Sequence, residues 1–181
     1  MKKALLIVDV QNDFCPGGTL AAPAGNDIIP VINKIMDKFD LVIASKDWHP
    51  EKTVHFDKWP VHCVRATPGA AFHPELDTTK IDEVVLKGTT NSDDGYSAFE
   101  ATNNDLAFLM KKNKITEVFV CGLTTEYCVK ASARDAFNAG FKVYVVKDAT
   151  GAVAANVGDE EKALIEIENM GVQLIQSSEI S

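Results

Sequence analysis

An aspartate and three of the chain's four histidines fall within one short stretch of sequence. They are Asp47, His49, His55 and His62. Carboxylate oxygens and imidazole nitrogens are donors that a divalent metal accepts, and unrelated histidines rarely crowd in this way. We therefore predict a metal site here, although a lone histidine would be interpreted as an ordinary core or surface residue. Cys63 follows His62 directly and could add a fourth, soft ligand, but we interpret it as a buried thiol.

A second group of residues has the types that make a cysteine nucleophilic. We predict Cys128 in the first turn of a helix beginning near Glu126, where the helix dipole lowers a thiol's pKa and a lysine such as Lys87 lowers it further. Asp9 could take the thiol proton and return it to a leaving amine, and backbone N–H groups of the turn 122–128 could face an oxyanion. Ordinary roles stay open: a buried helix cysteine, a capping aspartate and a lysine at a solvated strand end.

Three aromatic residues, Phe14, Trp59 and Tyr96, are candidates for the walls of a pocket that takes a flat ring. Taken one at a time, such residues more often belong to the core. Asp148 ends the fifth predicted strand, and we interpret it as a cap or loop-bonding residue and not as a catalytic one.

Short apolar, β-branched runs alternate with helix-like patterns along the chain. The predicted strands are Ala4–Val8, Leu41–Ala44, Glu83–Leu86, Glu117–Cys121, Lys142–Val146 and Val172–Ile175. They are apolar on both faces, which is typical of a parallel sheet covered by helices on each side. The predicted helices are Asn26–Phe39, Asn103–Lys112, Glu126–Ala139 and Glu160–Met170, of which the last two are followed by the stops Gly140 and Gly171. This alternation predicts a doubly wound α/β fold in one domain, residues 1–181.

The candidate residues stand at or just beyond the carboxyl ends of the first four predicted strands. Asp9 follows the first strand, Asp47 and His49 the second, Lys87 the third, and Cys128 comes shortly after the fourth. In open α/β sheets, ligands bind beyond the carboxyl ends of the strands, where the strand order reverses. If the first and fourth strands are neighbours at that point, all these side chains face one crevice.

Composition narrows the class of partner. The net charge of −8 makes nucleic acid or an anionic membrane an improbable main partner, and it leaves a small neutral substrate open. No apolar run reaches the length of a membrane span, and the first one is too short for a signal peptide. We therefore expect a cytoplasmic protein, with the homo-oligomeric state left open. Its four cysteines are expected to be thiols and not disulfides: Cys15, Cys63, Cys121 and Cys128.

Seven blocks of residues, spread over nearly the whole chain, match the pattern of a known family. In chain order they are Val8–Gly18, Ser45–Pro50, Trp59–Val64, Thr67–Ala70, Lys87–Gly88, Tyr96–Phe99 and Gly122–Val129. One block is moderately specific, and all of them in this order are highly specific. The chain thus resembles the nicotinamidase branch of the isochorismatase-like cysteine hydrolases. That resemblance implies a six-stranded parallel sheet with helices on both faces.

The resemblance also implies roles for single residues. It implies a catalytic triad, whose members are Asp9, Lys87 and Cys128. It implies one divalent metal ion, with zinc as the first choice and iron or manganese as alternatives. Its ligands would be Asp47, His49, His62 and, at a position that only some family members fill with histidine, His55. The aromatic residues of the substrate pocket would be Phe14, Trp59 and Tyr96.

The chain departs from the family pattern just before the cysteine. The family usually has Ala-Thr-Asp where this chain has Thr124-Thr125-Glu126. The resemblance implies a cis peptide bond between Leu123 and Thr124, and an oxyanion hole built from the N–H groups of Thr124 and Cys128. Thr124 keeps that N–H, but its added bulk could narrow the pocket or alter the rate.

The reaction implied by the resemblance is hydrolysis of the carboxamide of nicotinamide to nicotinate and ammonia. It would pass through a thioester on Cys128, with the metal positioning substrate or water, and would also accept pyrazinamide-like analogues as part of pyridine nucleotide salvage. One alternative is a related hydrolase of N-carbamoyl or ureido compounds, which shares the triad but generally lacks the metal loop. Isochorismatase itself is disfavoured, because that branch lacks the cysteine. Another alternative is a metal-binding or redox-sensing protein, which would leave Asp9 and Lys87 without a role.

Overall fold

Six runs rich in β-branched and apolar residues pair into one parallel sheet in the computed structural model, which describes residues 1–181. The strands are β1 (Lys2–Val8), β2 (Leu41–Asp47), β3 (Glu83–Lys87), β4 (Ile115–Leu123), β5 (Lys142–Gly151) and β6 (Gln173–Ile175). Their order across the sheet is β3-β2-β1-β4-β5-β6, and every neighbouring pair is parallel. The predicted α/β fold with six parallel strands is therefore confirmed.

The central strand β1 shows why these runs lack polar alternation. Leu5 and Ile7 belong to the apolar core on one side of the sheet, whereas Ala4, Leu6 and Val8 belong to the core on the other side. All five side chains are fully buried. Since successive residues of a strand point to opposite faces, a strand covered on both faces must be apolar at every position.

Four α-helices cover the sheet, as predicted. They are α1 (Ile28–Ile35), α2 (Leu106–Lys112), α3 (Lys130–Asn138) and α4 (Asp159–Asn169). Buried residues of α1 belong to one core and those of α2, α3 and α4 to the other, so helices lie on both faces. Gly140 and Gly171, just beyond α3 and α4, have φ of +91° and +94° and end these helices as expected. None of the helices combines the length and the apolar character that a bilayer crossing requires.

The strand order reverses between β1 and β4, which is the arrangement that the crevice argument requires. At the carboxyl end of this pair, Gly122 has φ of +107°, and a Cβ atom there would lie 2.1 Å from the carbonyl oxygen of Val8. The next peptide bond, between Leu123 and Thr124, is cis, as the family resemblance implied. A π-helical turn, Thr125–Val129, then leads directly into α3.

The long segment between β2 and β3 folds back over the carboxyl edge of the sheet. Gln11, a fully buried residue after β1, makes hydrogen bonds to Asp47, just before this segment, and to Ala70 within it. Its amide nitrogen donates to the carbonyl oxygens of Asp47 (2.8 Å) and Ala70 (3.0 Å), and its amide oxygen accepts from the N–H of Asp47 (2.9 Å). His49 forms a parallel bridge with Val64. These bonds bring the histidines of this segment to the edge where β1 and β2 end.

Candidate active site

Lys87, the last residue of β3, is fully buried beneath the nucleophile candidate. Its ammonium lies 3.5 Å from Cys128 Sγ and 2.7 Å from Asp9 Oδ2. It also donates to the carbonyl oxygen of Gly95 at 2.5 Å and contacts Asp47 Oδ1. The structure therefore brings the three residues of the predicted triad into one buried cluster around this lysine.

Asp9 stands directly after β1 with a left-handed backbone, φ +49°. Ser45 Oγ donates to its Oδ1 at 2.7 Å, so one oxygen is oriented by β2 and the other faces Lys87. Carboxylate oxygens of Asp9 and Asp47 and the sulfur of Cys128 all lie within 4.8 Å of one another. Asp9 is thus one of two carboxylates that lie close to the thiol.

The electrostatics of this cluster correct one expectation from the sequence. Burial raises the pKa of the Cys128 thiol well above its usual value; Lys87 opposes this, and the carboxylates of Asp9 and Asp47 add to it. Lys87 lowers this pKa as predicted, but the expectation of a lowered pKa overall is wrong, because desolvation and two carboxylates outweigh one ammonium. Burial also raises the pKa of Asp9 to about 6, against the opposing effect of Lys87. Burial lowers the pKa of Lys87, but Asp47 and Asp9 more than compensate and hold it well above its usual value.

Three imidazoles of the long loop meet beside this cluster. In each ring Nδ1 faces an oxygen: the carbonyl of Gly88 for His49 (2.9 Å), Asp93 Oδ1 for His55 (3.1 Å) and the carbonyl of Pro60 for His62 (2.7 Å). With the proton on Nδ1, each ring keeps Nε2 as a free electron-pair donor. One ligand atom from each of the three rings lies within 4.8 Å of the others.

Asp47 completes a donor set that suits a divalent metal. Its Oδ2 lies 3.4 Å from His49 Nε2 and 3.6 Å from His62 Nε2. His49 Nε2 is buried and makes no hydrogen bond, which is costly for a polar atom unless an ion is bound there. Burial raises the pKa of Asp47, but Lys87 and the two histidines outweigh it and hold the pKa well below its usual range. A carboxylate and three imidazoles with occupied Nδ1 atoms fit zinc, iron or manganese.

The predicted aromatic residues lie around the same cavity. Phe14, Trp59 and Tyr96 line it together with Cys128 and Thr124. Asp47, His55 and His62 also line it, so one cavity opens onto both the thiol and the imidazole cluster. A flat ring in this cavity would lie among aromatic side chains, with one end at the sulfur and the other at the histidines.

A family model described as the isochorismatase domain matches residues 3–179 of the chain. The chain belongs to the isochorismatase domain family. A nicotinamidase from Acinetobacter baylyi is 37% identical, over 98% of this chain and 94% of the relative. A crystal structure of a pyrazinamidase of Pyrococcus horikoshii in complex with zinc is 41% identical, with a TM-score of 0.87 over 97% of this chain and 99% of that one. The L. infantum protein PnC1 in complex with nicotinate is 36% identical, with a TM-score of 0.91 over 98% and 93% of the two chains.

Where this isochorismatase-family chain departs from the family pattern, the changed residues have visible contacts. Thr124 is buried and lines the cavity beside Cys128. Glu126 Oε1 accepts from the N–H of Ala154 at 2.9 Å. That bond ties the turn that carries Cys128 to the loop that brings Val153 to the cavity wall.

Several residues of this family member's site were missed by the sequence reasoning. Tyr127 lines the cavity and packs edge-on against Trp59, with ring centroids 4.9 Å apart. Its place beside Cys128 was the available signal. Ser45 and Gly95 bind Asp9 and Lys87, and Asp93 binds His55. Ser45 opens one of the blocks that match the family, whereas nothing in the spacing of Gly95 and Asp93 sets them apart from ordinary loop residues.

Cys63 and Asp148, which we interpreted from the sequence as structural residues, make hydrogen bonds within the fold. All four cysteines are free and buried, in agreement with the predicted thiols. Burial raises the pKa of Cys63 well above its usual value, and its backbone N–H donates to Asp13 Oδ2 at 2.7 Å. Asp148 lies within β5 and not at its end as predicted, and it accepts from the N–H (2.7 Å) and the hydroxyl (2.5 Å) of Ser177 in the segment after β6.

Proposed function

We propose that the chain is a nicotinamidase, which hydrolyses the carboxamide of nicotinamide to nicotinate and ammonia. The observation that carries the proposal is one cavity in which a buried Asp9–Lys87–Cys128 cluster adjoins a carboxylate and three imidazoles. The relatives named above support the choice of substrate, since they include a nicotinamidase, a pyrazinamidase and a protein that binds nicotinate. We extend the proposal to pyrazinamide-like analogues, which present the same carboxamide on a flat ring.

The first step would be attack of Cys128 on the carboxamide carbon. Because the pKa of the buried thiol is raised, it is protonated at rest and needs a base. Asp9, with a pKa of about 6, is a carboxylate at neutral pH and could take this proton as the carbon–sulfur bond forms. Lys87 would hold Asp9 in place and stabilise the negative charge as the sulfur reacts.

The oxygen of the amide would become an oxyanion held by the N–H groups of Thr124 and Cys128. When the carbon–nitrogen bond breaks, Asp9 would return its proton to the departing ammonia and leave a thioester. A water molecule would then attack the thioester carbon and give its proton to Asp9. Cleavage of the carbon–sulfur bond, with return of that proton to the sulfur, would restore the thiol and release the carboxylic acid, which loses its proton to solvent and becomes nicotinate.

The proposed metal ligands are Asp47, His49, His62 and His55, and zinc is our first choice. A divalent ion held there would supply positive charge and a coordination position for the pyridine nitrogen or for water. The aromatic side chains of Phe14, Trp59 and Tyr96 would hold the substrate ring at the end of the cavity where these histidines lie. We also propose that the enzyme works in the reducing cytosol, because its four cysteines are buried free thiols.

The test is ammonia release from nicotinamide by the purified protein, before and after chelation and zinc restoration, with Cys128→Ala measured alongside. We expect turnover in the metal-loaded protein, loss on chelation, recovery with zinc, and no turnover in the variant. Cys15→Ala is a matched control, since this cysteine is also buried but does not line the cavity. Absence of ammonia from folded, metal-loaded protein would refute the assignment, and release from N-carbamoyl amides instead would identify the related hydrolase.

A further inference from the structure

Asp93, in the loop between β3 and α2, accepts from three side chains at once. Its Oδ1 accepts from His55 Nδ1 at 3.1 Å and from the Tyr96 hydroxyl at 2.9 Å. Its Oδ2 pairs with the ammonium of Lys58. The lysine side chain is 66% exposed, and an exposed ion pair of this kind contributes little to stability. The other two contacts lead into the active-site cavity.

The first contact determines which nitrogen of His55 faces the imidazole cluster. A carboxylate that accepts from Nδ1 keeps the proton on that nitrogen, leaves Nε2 as the electron-pair donor, and makes it more basic. The ring of His55 stacks on that of His49, with centroids 4.5 Å apart and an angle of 20° between the planes. His49 and His62 are oriented by backbone carbonyls, whereas His55 depends on a side chain.

The second contact fixes two aromatic side chains of the cavity. The Tyr96 hydroxyl donates to Asp93 and accepts from the indole N–H of Trp59 at 3.1 Å. The indole in turn lies nearly parallel to the His55 ring, at 24° and 6.3 Å between centroids. A continuous chain of hydrogen bonds therefore runs from Trp59 through Tyr96 to Asp93, and from His55 to the same carboxylate.

We propose that Asp93 is a positioning residue that sets the metal ligand His55 and the aromatic walls Tyr96 and Trp59 together. One carboxylate would thus couple the geometry of the metal site to the shape of the pocket that takes the substrate ring. This inference rests on the proposed function, because it assigns a metal and a flat substrate to the cavity. Asp93 itself does not line that cavity and acts through its neighbours.

The metal half is tested by the zinc affinity of substrate-free protein, measured by competition with a chromophoric chelator. The variants are Asp93→Asn, His55→Ala and the double variant. We expect Asp93→Asn to weaken zinc binding about 10- to 100-fold when His55 is present. In the His55→Ala background we expect a change of less than about twofold, because the carboxylate acts through that ring. Equal weakening in both backgrounds, which a general loss of folding would give, or no weakening in either, would overturn the proposal.

The pocket half is tested by nicotinamide turnover at saturating zinc. We expect Asp93→Asn and Tyr96→Phe each to raise KM about tenfold, with a smaller change in kcat. Asp93→Asn replaces the charged acceptor of the Tyr96 hydroxyl by a weaker neutral one, and Tyr96→Phe removes the link to Trp59. Tyr96→Phe should leave zinc affinity unchanged, which separates the two arms. Lys58→Met removes a partner of Asp93 outside the cavity and should alter neither quantity by more than about twofold.

A wild-type KM in Asp93→Asn, or a loss of zinc affinity in Lys58→Met equal to that in Asp93→Asn, would overturn the proposed coupling. The zinc measurements involve no turnover. The expected zinc affinities in the wild-type protein and its three variants, together with no release of ammonia by the wild-type protein, would therefore refute the proposed function. They would still support the metal half of this inference.

Discussion

Lys87 is a fully buried cation that touches two carboxylates, a carbonyl oxygen and a sulfur. Removing a charge from water is costly, so such a lysine is retained only where its partners compensate for the lost hydration. Here the compensation is mutual, because the same ammonium allows Asp9 and Asp47 to be buried side by side. The predicted triad is consequently a structural unit of the fold.

Replacing Lys87 by Met should therefore destabilise the metal-free protein and abolish turnover. We expect a loss of about 3 to 5 kcal/mol in the free energy of unfolding, since two buried carboxylates lose their counter-ion. In the folded variant the pKa of Asp9, already raised to about 6, would rise further, and the lowered pKa of Asp47 would rise as well. The folded variant then binds more protons than the unfolded chain, so its stability recovers as pH falls through these raised pKa values. Denaturant unfolding with chelator present, at neutral and at mildly acidic pH, measures both effects.

The matched control is Lys142→Met, which removes an exposed lysine paired with Glu117 at 3.3 Å. We expect it to change stability by less than about 1 kcal/mol, without the recovery at low pH. A Lys87→Met protein as stable as this control at neutral pH would contradict the compensation described here.

At the scale of single residues, the sequence predicted which residues converge, but it predicted much less about the burial and the charges around them. Asp9, Lys87 and Cys128 follow strand ends, so their convergence could be predicted from the strand pattern. The raised pKa of Cys128 could not, because it depends on how deeply the sulfur is buried and on Asp47, which arrives from another strand. The role of Asp93 could not be predicted from the sequence for a similar reason. Its three partners, His55, Tyr96 and Lys58, lie in loops whose folding leaves no periodic pattern in the sequence.

At the scale of elements, the pair β1–β4 positions two of the three residues of the predicted triad, Asp9 and Cys128. Val8 pairs with Gly122 at its end, so Asp9 and the turn that carries Cys128 leave the sheet side by side. The close approach requires glycine, because a Cβ at residue 122 would lie 2.1 Å from the oxygen and 2.6 Å from the nitrogen of Val8. Backbone atoms of a paired strand cannot move aside as a flexible side chain can.

We expect Gly122→Ala to separate the ends of β1 and β4, and to lose more than about 3 kcal/mol of stability together with nearly all activity. Gly140→Ala is the matched control, because Gly140 also has positive φ but nothing lies within 4 Å of the added carbon. That variant should lose only about 1 to 2 kcal/mol and keep its kcat. Thermal unfolding and nicotinamide turnover measure the pair, and equal losses would show that backbone strain and not the contact with Val8 decides.

The elements themselves were predictable where one rule governs them. Apolar runs marked all six strands, and Gly140 and Gly171 marked the ends of α3 and α4. The boundaries near the site were less predictable. The strand β4 continues through Gly122 to Leu123, and α3 begins at Lys130 after a π-helical turn, where the sequence pattern predicted helix from Glu126. Pairing with β1 and the tertiary contacts of the turn fix these ends, and neither is local in sequence.

At the scale of the whole molecule, the proposed metal ligands join the end of β2 to the loop that folds over the sheet edge. Asp47 ends β2, whereas His55 and His62 belong to the loop that folds back over the sheet edge. Gln11 binds both Asp47 and the later part of that loop. An ion shared by these residues would hold the loop against the sheet, so metal binding should stabilise the fold and not only the site.

Zinc should therefore raise the thermal midpoint of the chelated protein in a concentration-dependent way. A ligand that binds the folded state alone contributes about 2.7 kcal/mol when its free concentration is 100 times its Kd. His49→Ala should abolish most of this gain, because it removes a ligand whose Nε2 is buried and otherwise makes no hydrogen bond. His73→Ala is the matched control, since His73 lies outside the imidazole cluster, and it should keep the full zinc-dependent shift. A shift of the same size in both variants would mean that zinc acts elsewhere on the protein, and the four-residue site would then have to be abandoned.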